Sequence, residues 1–302
     1  MKLLIGVCTQ NRNNLLKKNL YSINKLNIPK FVDPIIVIVD SSKNSLSKTI
    51  ISKFKKKKSF KKKVIYSVVK RRGIPIARNE ILKIAKKINP KFLCFFDDDC
   101  TVSKIWLVNN LKIFKETNCD VITGPQLHQY NSAKKNFFNF LEILERSVKH
   151  KSVVSWAATN NVIFRFSIVK KLNIKFDEKM TLMGGSDQLF FKTISSKGYK
   201  IIWNEKSKVH EHFHEERNNF KWFKKRNLRY GLSGVYIDKK IYGTYFGSII
   251  SLLKLLAYLV FSICYFFLQI IRKFFFYKSS MFFYRALGKI LGLLKVKSKK
   301  YV

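Results

Sequence analysis

Acidic residues are scarce in this 302-residue sequence, which carries 18 Asp and Glu side chains against 60 Lys and Arg, for a formal net charge of +42. An excess of this size usually indicates nucleic acid or an anionic membrane as a partner. The lysines, however, accompany many Ile, Asn, Phe and Tyr residues, a mixture that codon bias toward A and T produces. The total charge therefore selects neither partner. Its distribution says more, since the clusters Lys55–Lys58 and Lys61–Lys63 predict a basic, solvated loop.

Cysteine is also sparse, and its spacing excludes two classes of small stabilised domain. None of the five cysteines, Cys8, Cys94, Cys100, Cys119 and Cys264, belongs to a CxxC or CxxC/HxxxH pattern. A disulfide framework or a structural zinc site is therefore not expected, and a reducing compartment fits. The apolar start Met1–Cys8 is too short for the core of a signal peptide, because polar residues follow from Thr9. We interpret it as a first buried strand of a cytoplasmic domain.

Strand-like and helix-like segments alternate through the first half of the chain. Apolar runs typical of buried strands lie at Leu3–Cys8, Pro34–Val39, Val64–Val69, Phe92–Phe96 and Asp120–Thr123, and helical patterns lie near Asn14–Leu26, Pro75–Ile88 and Ser103–Thr117. This alternation predicts a mostly parallel sheet covered by helices. We expect Trp156–Gly231 to complete the same domain, and the less regular stretch Gln126–Val154 to be an insertion over one edge.

An acidic triplet, Asp97-Asp98-Asp99, directly follows the apolar run Phe92–Phe96. Three adjacent carboxylates are a costly concentration of like charge that calls for a cation. Ligands in open α/β sheets collect beyond the carboxyl ends of the strands, which is where the triplet lies. Carboxylate oxygens suit Mg²⁺ or Mn²⁺ that also holds a phosphate. The triplet therefore predicts a divalent metal site, the alternative being an acidic turn or helix N-terminus.

The composition changes after Tyr245. Ser248–Ile271 is a run of 24 residues with one charge, Lys254, and a helix of that length covers ~36 Å, enough for the ~30 Å hydrocarbon core of a bilayer. Arg272–Val302 mixes aromatic with basic residues, and Met281–Leu294 has the spacing of an interfacial helix. Both flanks are basic, so a re-entrant hairpin or a helix lying in the inner leaflet fits better than a single crossing. The alternative is a buried helix of a soluble protein.

Three further segments would lie at the same sheet edge as the acidic triplet. They are Thr9-Gln10-Asn11-Arg12 after the first strand, Asp40-Ser41-Ser42 after the second, and the segment Arg71–Asn79, which contains a glycine turn and Ala77-Arg78-Asn79. Together with the triplet and Gly184-Gly185-Ser186-Asp187, these segments resemble the family 2 glycosyltransferases with the GT-A fold. The resemblance covers about residues 1–235 and implies an inverting enzyme that uses a nucleotide-sugar donor.

The resemblance implies roles for the nucleotide-binding residues. Asp40 would accept a hydrogen bond from the base, and Thr9, Asn11 and Arg12 would line the nucleotide pocket. Arg78 matches the arginine of the family's ARN segment and would face the diphosphate. Taken alone, an Asp after a strand such as Asp40 is commonly just a turn residue, and Arg78 could be an ordinary surface cation.

The metal and the catalytic base are also implied by the resemblance. Asp97 and Asp99 match the outer members of the DxD motif and would reach the ribose or the metal. Asp98 would be a ligand or a partner of one. Asp187 matches the final Asp of the Gly-Gly-Glu-Asp segment and would deprotonate the acceptor hydroxyl. Ser186 stands where relatives have Glu, so Asp187 is left as the only carboxylate of that segment, although a Ser-Asp pair is also typical of a helix start.

Three weaker assignments complete the predicted site. Asn161, in a segment that looks like the sugar-contacting segment of relatives, is expected to contact a sugar, its alternative being a turn residue. His210, His212 and His214 alternate as on one face of a strand, and of these we expect His212 to be a metal or phosphate neighbour. A basic series with Trp222, comprising Lys224, Lys225, Arg226 and Arg229, is expected to hold pyrophosphate or lipid headgroups or to form a basic amphipathic helix.

The sequence thus predicts a Mg²⁺- or Mn²⁺-dependent glycosyltransferase of surface polysaccharide or glycolipid assembly on the cytoplasmic face of the plasma (inner) membrane. Its partners would be a nucleotide-sugar, a glycan or lipid-linked acceptor and an anionic membrane surface, but no nucleic acid. The expected domains are a GT-A domain at 1–240, with halves 1–125 and 126–240, and membrane-associated helices at 241–302. The alternatives are a polyprenyl-phosphate glycosyltransferase, a nucleic-acid-binding protein and a non-catalytic membrane scaffold.

Overall fold

The computed structural model describes residues 1–42, 46–56, 62–129, 146 and 148–296. The chain forms two compact units. The first comprises Met1–Gln129, Arg146–Glu178 and Phe190–His212, and the second comprises Tyr130–Glu145, Lys179–Leu189 and Phe213–Val302. Parts of two predicted segments, the basic loop around Lys55–Lys63 and the edge insertion Gln126–Val154, lie outside the described residues.

The first unit is an α/β fold. Its strands are β1 (Lys2–Thr9), β2 (Asp33–Asp40), β3 (Lys63–Val68), β4 (Phe92–Asp97), β5 (Cys100–Val102), β6 (Val121–Thr123), β7 (Gln126–Gln129), β8 (Val162–Arg165), β9 (Ile201–Trp203) and β10 (Val209–His212). Its helices are α1 (Asn13–Asn24), α2 (Leu46–Lys55), α3 (Ile74–Ile88), α4 (Trp106–Thr117), α5 (Ser167–Leu172) and α6 (Ser186–Ser196), the last of which begins in the second unit.

The main sheet has seven strands in the order β3-β2-β1-β4-β8-β6-β9. All neighbours are parallel except β8, which runs antiparallel to β4 and β6. A second sheet has the order β5-β10-β7. The predicted, mostly parallel sheet covered by helices is therefore confirmed.

Alternation along β1 shows why these residues form a central strand. Leu3, Ile5 and Val7 pack into one apolar cluster with α1 and α4, whereas Leu4 packs into the cluster on the opposite face. Successive side chains of a strand point to opposite faces, so an apolar run without polar interruption buries both. Glycine at position 6 makes room for α3, since a Cβ there would lie 2.9 Å from a methyl group of Ile81.

Three helices dominate the second unit. They are α7 (Phe220–Tyr242), α8 (Thr244–Leu268) and α9 (Lys273–Leu293). Ring pairs Tyr265–Phe275 and Tyr258–Phe282 show that α8 and α9 form an antiparallel hairpin. The hydroxyls of Ser262 and Ser279 tie the two helices together, each donating to the other residue's carbonyl oxygen at 3.1 Å and 2.8 Å.

Helix α7 runs parallel to α9, and the two helices approach each other most closely at glycine residues. A Cβ on Gly231 would be 2.1 Å from the carbonyl oxygen of Arg285, and one on Gly288 would be 2.0 Å from that of Leu228. Near the other end of α7, Asp238 is buried among Lys254, Lys289 and Ser251, at 2.6 Å, 3.3 Å and 2.9 Å. Helix α7 therefore packs with α8 and α9 in one compact unit. The domain boundary predicted from the sequence, at residue 240, falls near the end of α7.

The described part of the chain has one helix that is long and apolar enough to cross a membrane, Thr244–Leu268. Its outer face consists of exposed apolar side chains, including Leu253, Val260, Ile263 and Phe267. The single charge of the run, Lys254, turns inward to Asp238. This agrees with the predicted apolar segment Ser248–Ile271, shifted by about one turn.

Candidate active site

Strands β1, β2 and β4 bring the predicted nucleotide residues to one edge of the main sheet. In the strand register Thr9 pairs with Asp40, and Cys8 pairs with Asp97. The three strands are parallel, so their carboxyl ends carry Thr9, Asp40 and the acidic triplet side by side, as predicted. Burial raises the pKa of the adjacent Cys8 thiol to about 12, so this thiol stays protonated and is no nucleophile.

Two arginines and a threonine hold the acidic triplet. Arg12 donates from Nη1 to Asp98 at 3.2 Å and to Asp99 at 2.8 Å. Thr9 donates its hydroxyl to Asp98 at 2.7 Å. Arg78, in the second turn of α3, lies 3.5 Å from Asp97. Charge-assisted hydrogen bonds of this kind offset the repulsion between neighbouring carboxylates.

The three carboxylates differ in exposure, which separates their chemistry. The side chain of Asp97 is 40% exposed, whereas those of Asp98 and Asp99 are 5% and 6% exposed. Burial raises the pKa of Asp98 to about 6, against the opposing charge of Arg12. Asp98 is therefore an internal partner of Thr9 and Arg12, and Asp97 presents the most accessible oxygens.

Asn19 fixes the backbone of the triplet, a role that sequence reasoning missed. Its side-chain amide, fully buried in α1, donates to the carbonyl oxygens of Asp97 at 3.1 Å and Cys100 at 2.8 Å. This clamps the turn between β4 and β5. The available signal was a polar residue inside the buried stripe Leu16, Leu20 and Ile23 of an amphipathic helix.

Asp40 and Asn11 lie where the predicted nucleotide pocket begins. Asp40 is fully buried and accepts hydrogen bonds from the backbone N–H of Ser42 at 2.8 Å and the hydroxyl of Tyr66 at 2.9 Å. A base would have to share this carboxylate with one of them, and the predicted contact stays a prediction. Asn11 is exposed at φ 55° and donates its backbone N–H to Ser42 at 2.7 Å.

Asn161 has a structural role, which corrects the predicted sugar contact. It is fully buried, its amide donates to the carbonyl oxygens of Pro125 and Ser207, and its oxygen accepts from the indole of Trp106 at 2.9 Å. Both amide hydrogens are used and no surface remains for a ligand. The neighbouring Asn160 instead donates to the carboxylate of Glu211 at 3.2 Å.

Strand β10 places His212 beside the triplet, because its backbone N–H donates to the carbonyl oxygen of Asp99 at 2.8 Å. Glu211 pairs in the strand register with Cys100. The strand ends at His212, and His214 belongs to the second unit, so the alternating histidines do not share one strand face. The three-histidine cluster considered from the sequence is therefore not formed by β10.

Metal binding at the triplet is limited by the number of side chains that converge. Within the described ranges, no group of three or more His, Cys, Asp or Glu side chains is arranged to hold a metal ion. Mg²⁺ and Mn²⁺ bound with a substrate diphosphate need only one or two carboxylates, because phosphate oxygens and water fill the other positions. Asp97 and Asp99 carry carboxylate oxygens of the type that such a shared ion takes, those of Asp97 being the more exposed, so the residue types present fit a divalent ion.

The predicted catalytic base lies in the second unit. Gly184 and Gly185 form a turn at φ 71° and φ 81° that leads into α6. The partly exposed carboxylate of Asp187 accepts a hydrogen bond from the backbone N–H of Gln188 at 2.9 Å, in the first turn of this helix. A carboxylate in this position can take a proton from a hydroxyl that is held within hydrogen-bond reach.

The family model described as "Glycosyl transferase family 2" matches residues 4–172. Among curated proteins, the succinoglycan biosynthesis protein ExoM of Rhizobium meliloti (strain 1021) is 26% identical over 247 residues, 79% of this chain and 76% of that protein.

Solved structures share the fold of this chain. The mannosyltransferase PcManGT from Pyrobaculum calidifontis, in complex with GDP-Man and Mn²⁺, has a TM-score of 0.64 at 15% identity and covers 98% of this chain and 88% of its own. S. aureus TarS 1-349, in complex with UDP-GlcNAc, has a TM-score of 0.54 at 18% identity and covers 81% and 72%.

Proposed function

The chain belongs to glycosyl transferase family 2, and on that premise we propose that it transfers a sugar, with inversion, from a nucleotide-sugar to a glycan or lipid-linked acceptor in surface polysaccharide assembly. The observation that carries the proposal is the sheet edge at which Thr9, Asp40, Arg78 and the acidic triplet meet. The similarity to a succinoglycan biosynthesis protein supports a role in polysaccharide assembly. The nucleotide-sugars bound by the structural relatives support the donor class.

Arg78 would contact the donor diphosphate directly, and Asp97 and Asp99 would hold a divalent ion. That ion, when bound, would neutralise charge on the leaving diphosphate. The Mn²⁺ in the mannosyltransferase complex supports this metal class. Arg78 is held rigidly, since it is buried and lies over the Phe176 ring at 5.6 Å from its centroid. Such a preorganised cation stabilises developing negative charge without a reorganisation cost.

Asp187 would accept the proton of the acceptor hydroxyl as that oxygen attacks the anomeric carbon. The carboxylate would act as base only when a hydroxyl is brought within hydrogen-bond reach of it. An acceptor phosphate is ionised already and needs little help from a base. Asp187→Asn should therefore reduce transfer to a sugar hydroxyl by about 10²–10⁴-fold, whereas nearly full activity would favour the polyprenyl-phosphate glycosyltransferase.

Calorimetric titration with a panel of nucleoside diphosphates, with and without Mn²⁺, tests the donor site without knowledge of the acceptor. We expect metal-dependent binding of one nucleotide, lost in Asp99→Ala and kept in Asp33→Ala. Asp33 is a matched control, being an exposed carboxylate at the start of β2. A folded protein that binds no nucleotide, or binds one equally well in chelator, contradicts the proposal.

We further propose that the hairpin of α8 and α9 lies in the cytoplasmic leaflet and does not span the bilayer. Helix α7 carries Lys221, Lys224, Lys225, Arg226 and Arg229 and packs along α9 from Phe276 to Gly292. A hairpin that crossed the membrane would draw these cations into hydrocarbon, at ~2.5–3.5 kcal/mol each. In the plane of the membrane, the apolar outer face of α8 meets lipid while the cations meet anionic headgroups.

Cysteine labelling of Ile270→Cys in intact cells tests this orientation. Ile270 lies at the tip of the hairpin and is 87% exposed. An in-plane hairpin keeps the tip unreactive to an impermeant maleimide added outside, whereas a spanning hairpin is labelled. The native Cys264, the one exposed cysteine within the described ranges, is replaced by Ser beforehand.

A further inference from the structure

Three arginines of the second unit surround one aromatic ring. The guanidinium carbons of Arg226, Arg229 and Arg285 lie 5.3 Å, 5.8 Å and 5.6 Å from the centroid of the Tyr230 ring. Two come from α7 and the third from α9, which is positioned by the glycine contacts between the two helices. We name these residues the arginine cluster.

The arginine cluster lacks a counter-charge among the described residues. The Nε atoms of Arg226 and Arg229 are buried without a hydrogen-bond partner, and Nε of Arg285 donates to the amide oxygen of Asn227 at 3.0 Å. Burial lowers the pKa of Arg285; Tyr258, which hydrogen-bonds it, and Tyr230 oppose this shift, and the neighbouring charge of Arg226 adds to it. Asp238, the buried carboxylate of the bundle, is committed to Lys254 and Lys289. Like charges without counter-ions are costly, so this arrangement fits a site for an anion.

A second unpartnered group lies beside the cluster. Ser233 is 1% exposed and its hydroxyl has no hydrogen-bond partner. A Cβ on Gly185 would be 3.5 Å from this hydroxyl, and one on Gly184 would be 3.3 Å from Nε of Arg229. The glycine turn that leads to Asp187 therefore packs directly on Arg229 and Ser233.

We propose that Arg226, Arg229 and Arg285, with the hydroxyl of Ser233, bind the phosphate groups of a prenyl-diphosphate-linked acceptor. Guanidinium groups match phosphate oxygens with paired hydrogen bonds, which lysines do not. The site belongs to the acceptor because the same compact unit carries Asp187 and the apolar hairpin, whereas the acidic triplet belongs to the other unit. This inference rests on the proposed function and gives the acceptor of that reaction a chemical class.

Binding of farnesyl diphosphate in detergent micelles, with chelator present, tests the cluster. Farnesol serves as the same chain without phosphate, and inorganic pyrophosphate as the phosphate without lipid. We expect wild-type protein to prefer farnesyl diphosphate over both. Arg226→Ala and Arg229→Ala should each weaken this binding by about 10–100-fold, the range for losing one charged hydrogen-bonding partner. Lys240→Ala, which removes an exposed cation near the other end of α7, should leave it unchanged.

The conservative variant Arg229→Lys distinguishes recognition by the paired hydrogen bonds of a guanidinium from attraction by positive charge alone. It keeps the cation and loses the planar fork, so binding should fall in this variant while its melting temperature matches wild type. Equal binding of farnesol and farnesyl diphosphate by wild-type protein overturns the proposal, as does unchanged affinity in both alanine variants. Tighter binding of pyrophosphate than of farnesyl diphosphate also overturns it, because a lipid-linked source is then excluded.

Titration of the same proteins with nucleoside diphosphate and Mn²⁺ distinguishes this proposal from the function on which it rests. Metal-dependent nucleotide binding retained in every variant, with no preference for farnesyl diphosphate, overturns the arginine site alone. If the wild-type protein binds no nucleoside diphosphate, the proposed function itself is overturned.

Discussion

A pair of glycine substitutions tests the packing of the helices that bear the arginine cluster. Gly288 and Gly234 are both helical, and Ala is preferred over Gly in a helix by ~1 kcal/mol. They differ in surroundings: a Cβ on Gly288 would lie 2.0 Å from the carbonyl oxygen of Leu228, whereas one on Gly234 meets only the end of Lys289 at 3.5 Å. Ordinary contact between carbon and oxygen needs more than 3 Å, so α7 and α9 must separate in Gly288→Ala.

Overpacking of this kind costs ~1–3 kcal/mol, and more where the obstructing atom belongs to the backbone. We therefore expect Gly234→Ala to gain up to ~1 kcal/mol from helix propensity, and Gly288→Ala to lose at least ~1–2 kcal/mol after the same gain. The two variants should differ by about 2–4 kcal/mol in unfolding free energy, measured by chemical denaturation in detergent. Equal stability, or a more stable Gly288→Ala, would refute the close approach of the two helices.

Four other substitutions, one of them tested through the pH dependence of stability, follow from buried polar groups. Asn161→Ala should destabilise the first unit by ~3 kcal/mol, because three hydrogen bonds are lost and buried partners are left unpaired, while donor affinity per folded molecule, measured by calorimetry, stays unchanged. Each lysine variant leaves Asp238 with the other lysine. Lys289→Met, at a lysine that is 3% exposed, should cost ~1–3 kcal/mol in thermal unfolding because a buried partner is lost, whereas Lys254→Met, at a 39% exposed lysine, should cost ~1 kcal/mol or less. Burial opposes ionisation of Asp238, but the hydrogen bond from Lys254 and the charges of both lysines outweigh it and hold its pKa below the ordinary value. Its contribution to stability is therefore present above the unfolded-state pKa and is lost as pH falls through the lower folded pKa, so Asp238→Asn should flatten the acid limb of stability against pH.

The fold, and the sheet edge that carries Thr9, Asp40 and the acidic triplet, could be predicted because their sequence signals are local. Strands β1, β2 and β4 are apolar runs that each lead into a polar site residue, and parallel pairing brings those ends together without knowledge of any loop. The triplet stood out because carboxylates are rare in the chain. Helix α2 was missed because its apolar positions, Ile51 and Phe54, are embedded in lysines that indicated a loop.

The rest of the site depends on contacts between residues distant in sequence. Asn161 was misassigned because its neighbours predict a turn near a ligand, and only the packing of α4 shows that Trp106 and two carbonyl groups use its amide. Arg285 was missed because it meets Arg226 only when α9 returns alongside α7. Asn19 was visible in the pattern, but its partners at the turn were not.

The order of synthesis gives the parallel contact between α7 and α9 a consequence in time. Helix α7 leaves the ribosome with Gly231 and Asp238 in place, but the groups that they meet across the contact, Arg285 and Lys289, arrive only after the whole of α8 has been made. Until then Asp238 has Lys254 alone, and the arginine cluster lacks its third member. A nascent chain that has already folded the sheet edge with the acidic triplet therefore has no complete arginine cluster until α9 docks.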